Sequence, residues 1–293
     1  MSSFRIDRRD VLQLAAAGAT SGLIPGSLPA ADDQRNSAGV VDTNVSLFHW
    51  PFRRLPLDST EALVQKLRSL GVVRALAGSF EGILHRDVDQ VNRRLSEACR
   101  TQPELVPIGS LNPTLPNWPE DLRRCVEHYQ MPGVRLHPGY HGYSLQDPRL
   151  VRLLQETART GLFVQLAAAM EDPRTQHSLV RVADVDLTPL PAILAEVPQA
   201  TVQILNARLR PNALPLFQKT PGLLCDTSRV DGTDGVPSLV NQLPTERVLF
   251  GSHAPLLIPE AALIRVHESG QLSEDQLQSV YRNSAVTRLG INV

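Results

Sequence analysis

From Gly39 onward the chain alternates two hydrophobic patterns. Short runs that are apolar at consecutive positions recur at Gly39–Thr43, Val72–Ala77, Leu105–Gly109, Gly133–His137, Leu162–Ala167, Thr201–Leu205, Gly222–Asp226 and Arg247–Gly251. Between them the apolar residues fall every three or four positions, as at Leu63, Val64, Leu67 and Leu70, which is the spacing of a helix with one buried face. Asp58 and Ser59 can cap that helix and Gly71 ends it. The same reasoning predicts helices over Val88–Thr101, Trp118–Tyr129, Pro148–Thr160, Val236–Leu243, Pro259–His267 and Ser273–Leu289. Pro173–Val197 reads as two short helical pieces broken near Thr188-Pro189, and Pro138–Tyr143 reads as a loop.

Strands covered on both faces lose the in-out alternation of a half-exposed sheet. Eight such runs, most of them followed by a helix, predict an α/β fold closed as a parallel (β/α)8 barrel, one domain over residues 38–293. The competing open, doubly wound sheet would carry a glycine-rich phosphate turn after its first strand, and this chain has none there.

In a barrel the chemistry sits at the C-terminal ends of the strands, so the candidates are read there. The first strand enters Val40–Trp50, VVDTNVSLFHW, which places Asn44 and Ser46 on one face and Val45 on the other. The later strand ends offer Arg135 and His137, Gln165, Asn206 and Arg208, Asp226 and Ser228, and His253. Arg135 presents a planar fork suited to a carboxylate. His137, His141 and His253 are candidate acids or bases, and Asp226 either accepts a proton from His253 or orients it. The same three histidines are one alternative metal set, although Pro138-Gly139-Tyr140 argues against a simple helical pairing of His137 with His141. No G-x-S-x-G elbow is present.

Composition narrows the partners. Lys+Arg number 29 against 30 Asp+Glu, with no basic half, so a nucleic acid partner is unsupported. Three cysteines without C-x-x-C spacing argue against a disulfide framework and against structural zinc. At the N-terminus, Arg8-Arg9 precedes a weakly apolar run from Leu14 to Ile24, with small residues around Pro29-Ala30-Ala31. Residues 1–31 therefore read as a twin-arginine export signal, which places the protein outside the cytoplasm. The run is too short and too polar for a membrane span.

The segments VVDTNVSLFHW, GVRLHPGYHGYSL, LFVQLAAAMED, VQILNAR, LLCDTS and VLFGSHAPL, with Asn283 in the last helix, resemble the amidohydrolase-related family of metal-dependent (β/α)8 hydrolases and decarboxylases. The resemblance implies a TIM barrel of the metallo-dependent-hydrolase type and covers roughly residues 39–290. It also implies where metal ligands would stand. The two histidines of the family's D-x-H-x-H fall on Asn44 and Ser46, the fifth-strand histidine on Gln165, the sixth-strand one on Asn206, and the aspartate after the eighth strand on His253. Neutral amide and hydroxyl oxygens are weak donors to a divalent ion, so no cofactor is expected, with a non-standard divalent metal as the alternative.

Three readings stay open. The first is hydrolysis of a small carboxylated amide or lactone by His137, His253 and Asp226, with Arg135, His141, Asn44, Ser46, Gln165, Asn206 and Arg208 holding the substrate. The second is a catalytically inactive barrel that binds a small polar or anionic molecule. The third is a structural or partner-binding protein, and a homo-oligomer is compatible with all of them.

Overall fold

The computed structural model describes residues 39–209 and 213–293. The expected export signal lies outside the described residues. Nine strands are present among them: β1 (Val40–Leu47), β2 (Val72–Ser79), β3 (Leu105–Pro107), β4 (Gly109–Ser110), β5 (Gly133–Leu136), β6 (Phe163–Ala167), β7 (Val202–Leu205), β8 (Leu223–Asp226) and β9 (Val248–Leu249). They pair in parallel as β1-β2-β3 and β4-β5-β6-β7-β8-β9.

Two seams join these runs into a barrel. β3 and β4 are consecutive pieces of one stave separated by Ile108, whose N–H donates to Ala77 O of β2 at 2.9 Å. On the other side the chain beyond β9 lies along β1. Thr43 N donates to Phe250 O, His253 N to Asn44 O and Ser46 N to Ala254 O, at 2.8–2.9 Å, with Val45 paired in parallel to Ala254. The eight expected strands are thus eight staves.

Side chains fill the interior in layers, as strand periodicity requires. The lower layer is apolar: Val41, Leu76, Ile108, Phe163, Leu224 and Leu249 pack together with Leu289 and Ile291 from the C-terminal end. Two residues further along the strands stand Thr43, Gly78, Gln165 and Asp226, so the next layer is polar. In β1 the register against β2 shifts between Asp42 and Val45, a bulge that re-aims the strand. Val45 stays in the outer strand–helix core, whereas the Asn44 and Ser46 side chains bond inward.

The helices read from the sequence are present with two differences, and Leu214–Lys219 is a further short helix that the sequence reading did not name. Thr60–Ser69 starts on Ser59, whose hydroxyl accepts from Ala62 N, and Pro148–Thr160 ends at Gly161 in the left-handed conformation. Pro138–His141 is a single helical turn rather than a loop, because proline fits the first helical position and Gly142, at φ 70°, closes it. Residues 173–187 contain no helix, and only Leu190–Glu196 is helical in that stretch. Asp172, Asp186 and His177 instead hold turns by accepting from the backbone two residues on.

The break in the β3–β4 stave leaves Ser110 without a β2 partner. Asn92, fully buried, supplies both bonds: its Nδ2 donates to Ser110 O at 3.0 Å and its Oδ1 accepts from Ser110 N at 2.7 Å. Asn92→Ala strands a buried donor and a buried acceptor, and is expected to cost on the order of 3 kcal/mol. A lowered urea midpoint with an unchanged slope checks this, and an unchanged midpoint would contradict it.

Candidate functional site

The candidates stand where expected, at the C-terminal ends of the staves, and most of them bond each other rather than face an open pocket. Arg135 projects from β5 across the barrel. Its Nε donates to Gln165 Oε1 at 2.9 Å, its Nη1 to Val45 O at 3.0 Å and Ser46 Oγ at 3.1 Å, and its Nη2 to Leu76 O at 3.4 Å. Gln165 is held in turn, with Nε2 donating to Thr43 O and to Gln203 Oε1. Gln203 Nε2 donates to Thr43 Oγ1, and that hydroxyl donates to Phe250 O. Each donor in this chain has an acceptor, so both glutamines have one orientation.

A second network lies beside it. Asn44 Nδ2 donates to Asp226 Oδ2 at 2.6 Å and to Asn206 Oδ1 at 2.8 Å. Ser228 Oγ donates to Asp226 Oδ1 or Asn206 Oδ1, at 3.0 and 2.9 Å, and Asn206 N donates to Asp226 Oδ1. Asp226 therefore bonds Asn44, Asn206 and Ser228, while the His253 ring bonds Met170 O at 2.8 Å. The expected Asp226–His253 pair is not made. Asn206 and His253 sit at φ 60° and 58°, a left-handed backbone that costs most residues about 1 kcal/mol or more and is commonest for asparagine, aspartate and histidine.

Burial sets the charges. Arg135 is 2% exposed, and desolvation brings it down to about 10, opposed by the charges of Asp226 and Asp42, so it stays a cation at neutral pH. Desolvation pushes Asp42 and Asp226 up to about 6. The same effect takes His253 down to about 3 and His137 well below its usual value, and lowers His141. His253 is thus a neutral imidazole with its Nε2–H on Met170 O, and His141 Nε2 likewise faces Gly82 O at 3.0 Å. The His137 and His141 rings stand 5.9 Å apart, edge to face. Among the described residues no three His, Cys, Asp or Glu side chains gather as a metal would need, so His137, His141 and His253 do not form a triad.

An apolar cluster stands at the same end of the staves. Trp50, Leu55, Phe80, Ile83, Ala167 and Met170 form a separate buried cluster, with Trp50 edge-on to Phe80 at 5.1 Å. The backbone after β6 is tied down through its carbonyls. Ala169 O accepts from Asn206 Nδ2, and Met170 O accepts from both His253 and Arg229. Asn44, Ser46, Arg135, His137, Gln165, Asn206, Asp226 and His253 are all buried.

The open space lies to one side, a cavity of about 710 Å³. Five arginines line it, Arg53, Arg174, Arg208, Arg229 and Arg265, against the carboxylates of Glu171, Asp172 and Asp231. Arg53 pairs with Glu171, and Arg174 and Arg208 share Asp172 at 2.9 and 3.1 Å. Arg229 and Arg265 have no carboxylate partner within ion-pair distance among the described residues. Arg265 Nη1 donates to Ser228 O at 2.6 Å, and Arg229 Nη2 to Met170 O at 2.9 Å. Arg229 is buried with its Nε unpartnered, and desolvation and the Arg208 charge lower its pKa. Of the residues named from the sequence, Arg208 and Ser228 reach this cavity.

Sequence reasoning missed Gln203, Arg229, Arg53 and Arg265. Gln203 was visible as a glutamine inside an apolar strand, in register with Gln165. Arg229 follows Ser228 directly. Arg53 lies in a loop and Arg265 on an outer helix, where no periodic signal marks them.

Because the folded pKa of His253 lies below the ordinary 6.5, the unfolded chain binds a proton that the folded chain does not. This residue therefore removes stability as pH falls from about 6.5 toward 3. Asp42 and Asp226, with raised values, act oppositely and restore stability as pH falls from about 6 toward 4. His253→Asn keeps a side chain suited to the backbone and deletes the first effect. Its urea midpoint is expected to fall less steeply than that of the wild type between pH 6.5 and 4, and parallel profiles would contradict the assignment.

With this geometry in view, comparisons with known proteins place the chain. A comparison with curated protein sequences finds no match. Among solved structures, 5-carboxyvanillate decarboxylase from Sphingomonas paucimobilis superposes with a TM-score of 0.68 at 13% identity, over 87% of this chain and 100% of that one. A 2,6-dihydroxybenzoate decarboxylase in complex with 2,6-dihydroxybenzoate gives 0.67 at 13%, over 86% and 99%. A dihydroxybenzoic acid decarboxylase from Polaromonas sp. JS666, with bound manganese and the inhibitor 2-nitroresorcinol, gives 0.65 at 12%, over 87% and 98%. At these identities the structures speak for the fold alone. The family model Amidohydro_2, described as Amidohydrolase, matches residues 41–290, and the chain belongs to that family.

Proposed function

We propose that this chain is an amidohydrolase-family barrel that binds a small anionic molecule at the rim of its mouth and does not run the metal-assisted chemistry of its relatives. The observation that carries the reading is the contrast between the two places described above. The side chains at the metal positions are buried and bonded mostly to one another, with His253 Nδ1 left unpartnered, while the open cavity beside them is lined by five arginines, two of them without a carboxylate among the described residues.

The residues at the ligand positions do not fit a divalent ion. Ser46 Oγ and Gln165 Oε1 accept from the Arg135 cation, Asn206 Oδ1 accepts from Asn44, and the Asn44 amide donates to Asp226. The one imidazole among them, His253, has its Nε2 on Met170 O. No carboxylate stands at these five positions to offset the charge of an ion. Hydrolysis by His137 or His253 would require either ring to meet substrate, and they are 2% and 1% exposed. Arg135, expected from the sequence to hold a substrate carboxylate, has its guanidinium on internal acceptors. Arg229 and Arg265 are better placed for that task, because a guanidinium without a carboxylate partner keeps donors for an incoming anion.

Calorimetric titration of 2,6-dihydroxybenzoate and succinate tests this. Binding is expected to weaken with added salt and to fall about tenfold in Arg265→Gln, the scale of one charge-assisted hydrogen bond. Affinity that ignores both changes would contradict the reading. Turnover of a carboxylated amide or lactone that disappears in His253→Asn would replace it with the hydrolytic one.

A further inference from the structure

The disagreement between the metal positions and a metal has a positive content. We infer that the Arg135 guanidinium is the barrel's built-in cation, occupying from within the chain the place around which the family's ligand positions converge. It bonds the side chains at two of those positions, Ser46 and Gln165, and the backbone carbonyl of Val45 between Asn44 and Ser46. This inference is independent of which anion, if any, enters the rim cavity.

Three features around Arg135 suit a guanidinium and do not suit an ion. The first is the type of acceptor. A guanidinium is a flat fork of N–H donors and is satisfied by oxygens spread about its plane, neutral ones included. It receives an amide oxygen, a hydroxyl and two peptide carbonyls. A divalent ion would require lone pairs aimed at one point, with negative charge among them.

The second is the enforced orientation of Gln165. Because its Nε2 must serve Thr43 O at 2.7 Å and Gln203 Oε1 at 2.9 Å, its Oε1 faces Arg135 at 2.9 Å. The third is Gly78 on β2, against which the guanidinium lies. A Cβ at that position would come within 2.6 Å of Arg135 Nη1, 2.8 Å of Cζ and 3.0 Å of Nε. Any side chain there displaces the cation, so the missing side chain of one strand is the room that the long side chain of another occupies.

Charge balance is consistent with the same assignment. Arg135 feels the opposing charges of Asp42 and Asp226, and a single internal positive charge takes the role that the ion's double charge has elsewhere. Arg135 is in these terms a positioning residue: it fixes Ser46 and Gln165 and thereby closes the centre of the barrel.

Chemical rescue provides the test. Arg135→Ala leaves a polar cavity with four acceptors and is expected to lower Tm by about 10 °C. Methylguanidinium chloride at low millimolar concentration is expected to recover at least half of that loss, with no effect on the wild type and with methylammonium chloride or sodium chloride at the same concentration ineffective. Should Arg135→Ala not fold, Arg135→Met keeps the volume of the stem, and Gly78→Ala is measured in both backgrounds. Gly78→Ala is expected to destabilise the wild type and to leave Arg135→Met nearly unchanged, because the clashing group is gone.

Equal recovery by methylammonium, or equal cost of Gly78→Ala in both backgrounds, overturns the inference. So does uptake of one equivalent of Mn2+ by the wild type in equilibrium dialysis if that uptake is lost in Gln165→Leu.

Discussion

A cation buried at the centre of a barrel must be met by acceptors on every side that it presents, and the first of the two polar networks in this interior, Ser46, Gln165, Gln203 and Thr43, answers that requirement. The guanidinium of Arg135 collects oxygens from β1, β2 and β6, so it ties staves that are distant in sequence. Breaking such a site by removing one partner leaves a charge without compensation, at a cost of several kcal/mol. The acceptors are themselves held in place. Gln165 is oriented by Gln203, Gln203 is received by Thr43, and Thr43 ends on a backbone carbonyl at the closing seam. The polar layer therefore closes the barrel as well as filling it.

The same closure decides where chemistry is available. Ala169 O and Met170 O take the side-chain donors of Asn206, His253 and Arg229, which ties the chain after β6 to the ends of the later staves. Met170 then joins an apolar cluster with Trp50 and Phe80. The open cavity lies toward the ends of β7 and β8, where Arg208, Ser228 and Arg229 line it. There Arg208 and Arg265 remain partly exposed, while Arg229 is buried.

Much of the fold was legible in the sequence. Strands buried on both faces leave continuous apolar runs, and Ser59, Gly71 and Gly161 mark helix ends by chemistry that is local. The helical turn at Pro138–His141 and the helix-free stretch before Leu190 were misread because short polar segments are decided by one or two side-chain bonds. At the site, the sequence identified which residues come together at the stave ends, including Asn44, Arg135, Gln165, Asn206, Asp226 and His253. What they do there was not legible. Whether Arg135 faces a substrate or Gln165 depends on the crossing of a side chain from β5 to β1 and β2, and on the space left by Gly78, which are properties of the closed barrel. The rim arginines come from a loop and an outer helix as well as from stave ends, so position along a strand could not mark all of them.

The most direct test of the central claim is anomalous diffraction from a crystal of this protein soaked in Mn2+. The account predicts no manganese peak among Asn44, Ser46 and Gln165, with the Arg135 guanidinium in density on Gln165 Oε1 and Ser46 Oγ. A manganese peak bounded by those residues, with the Arg135 side chain turned away, would contradict it.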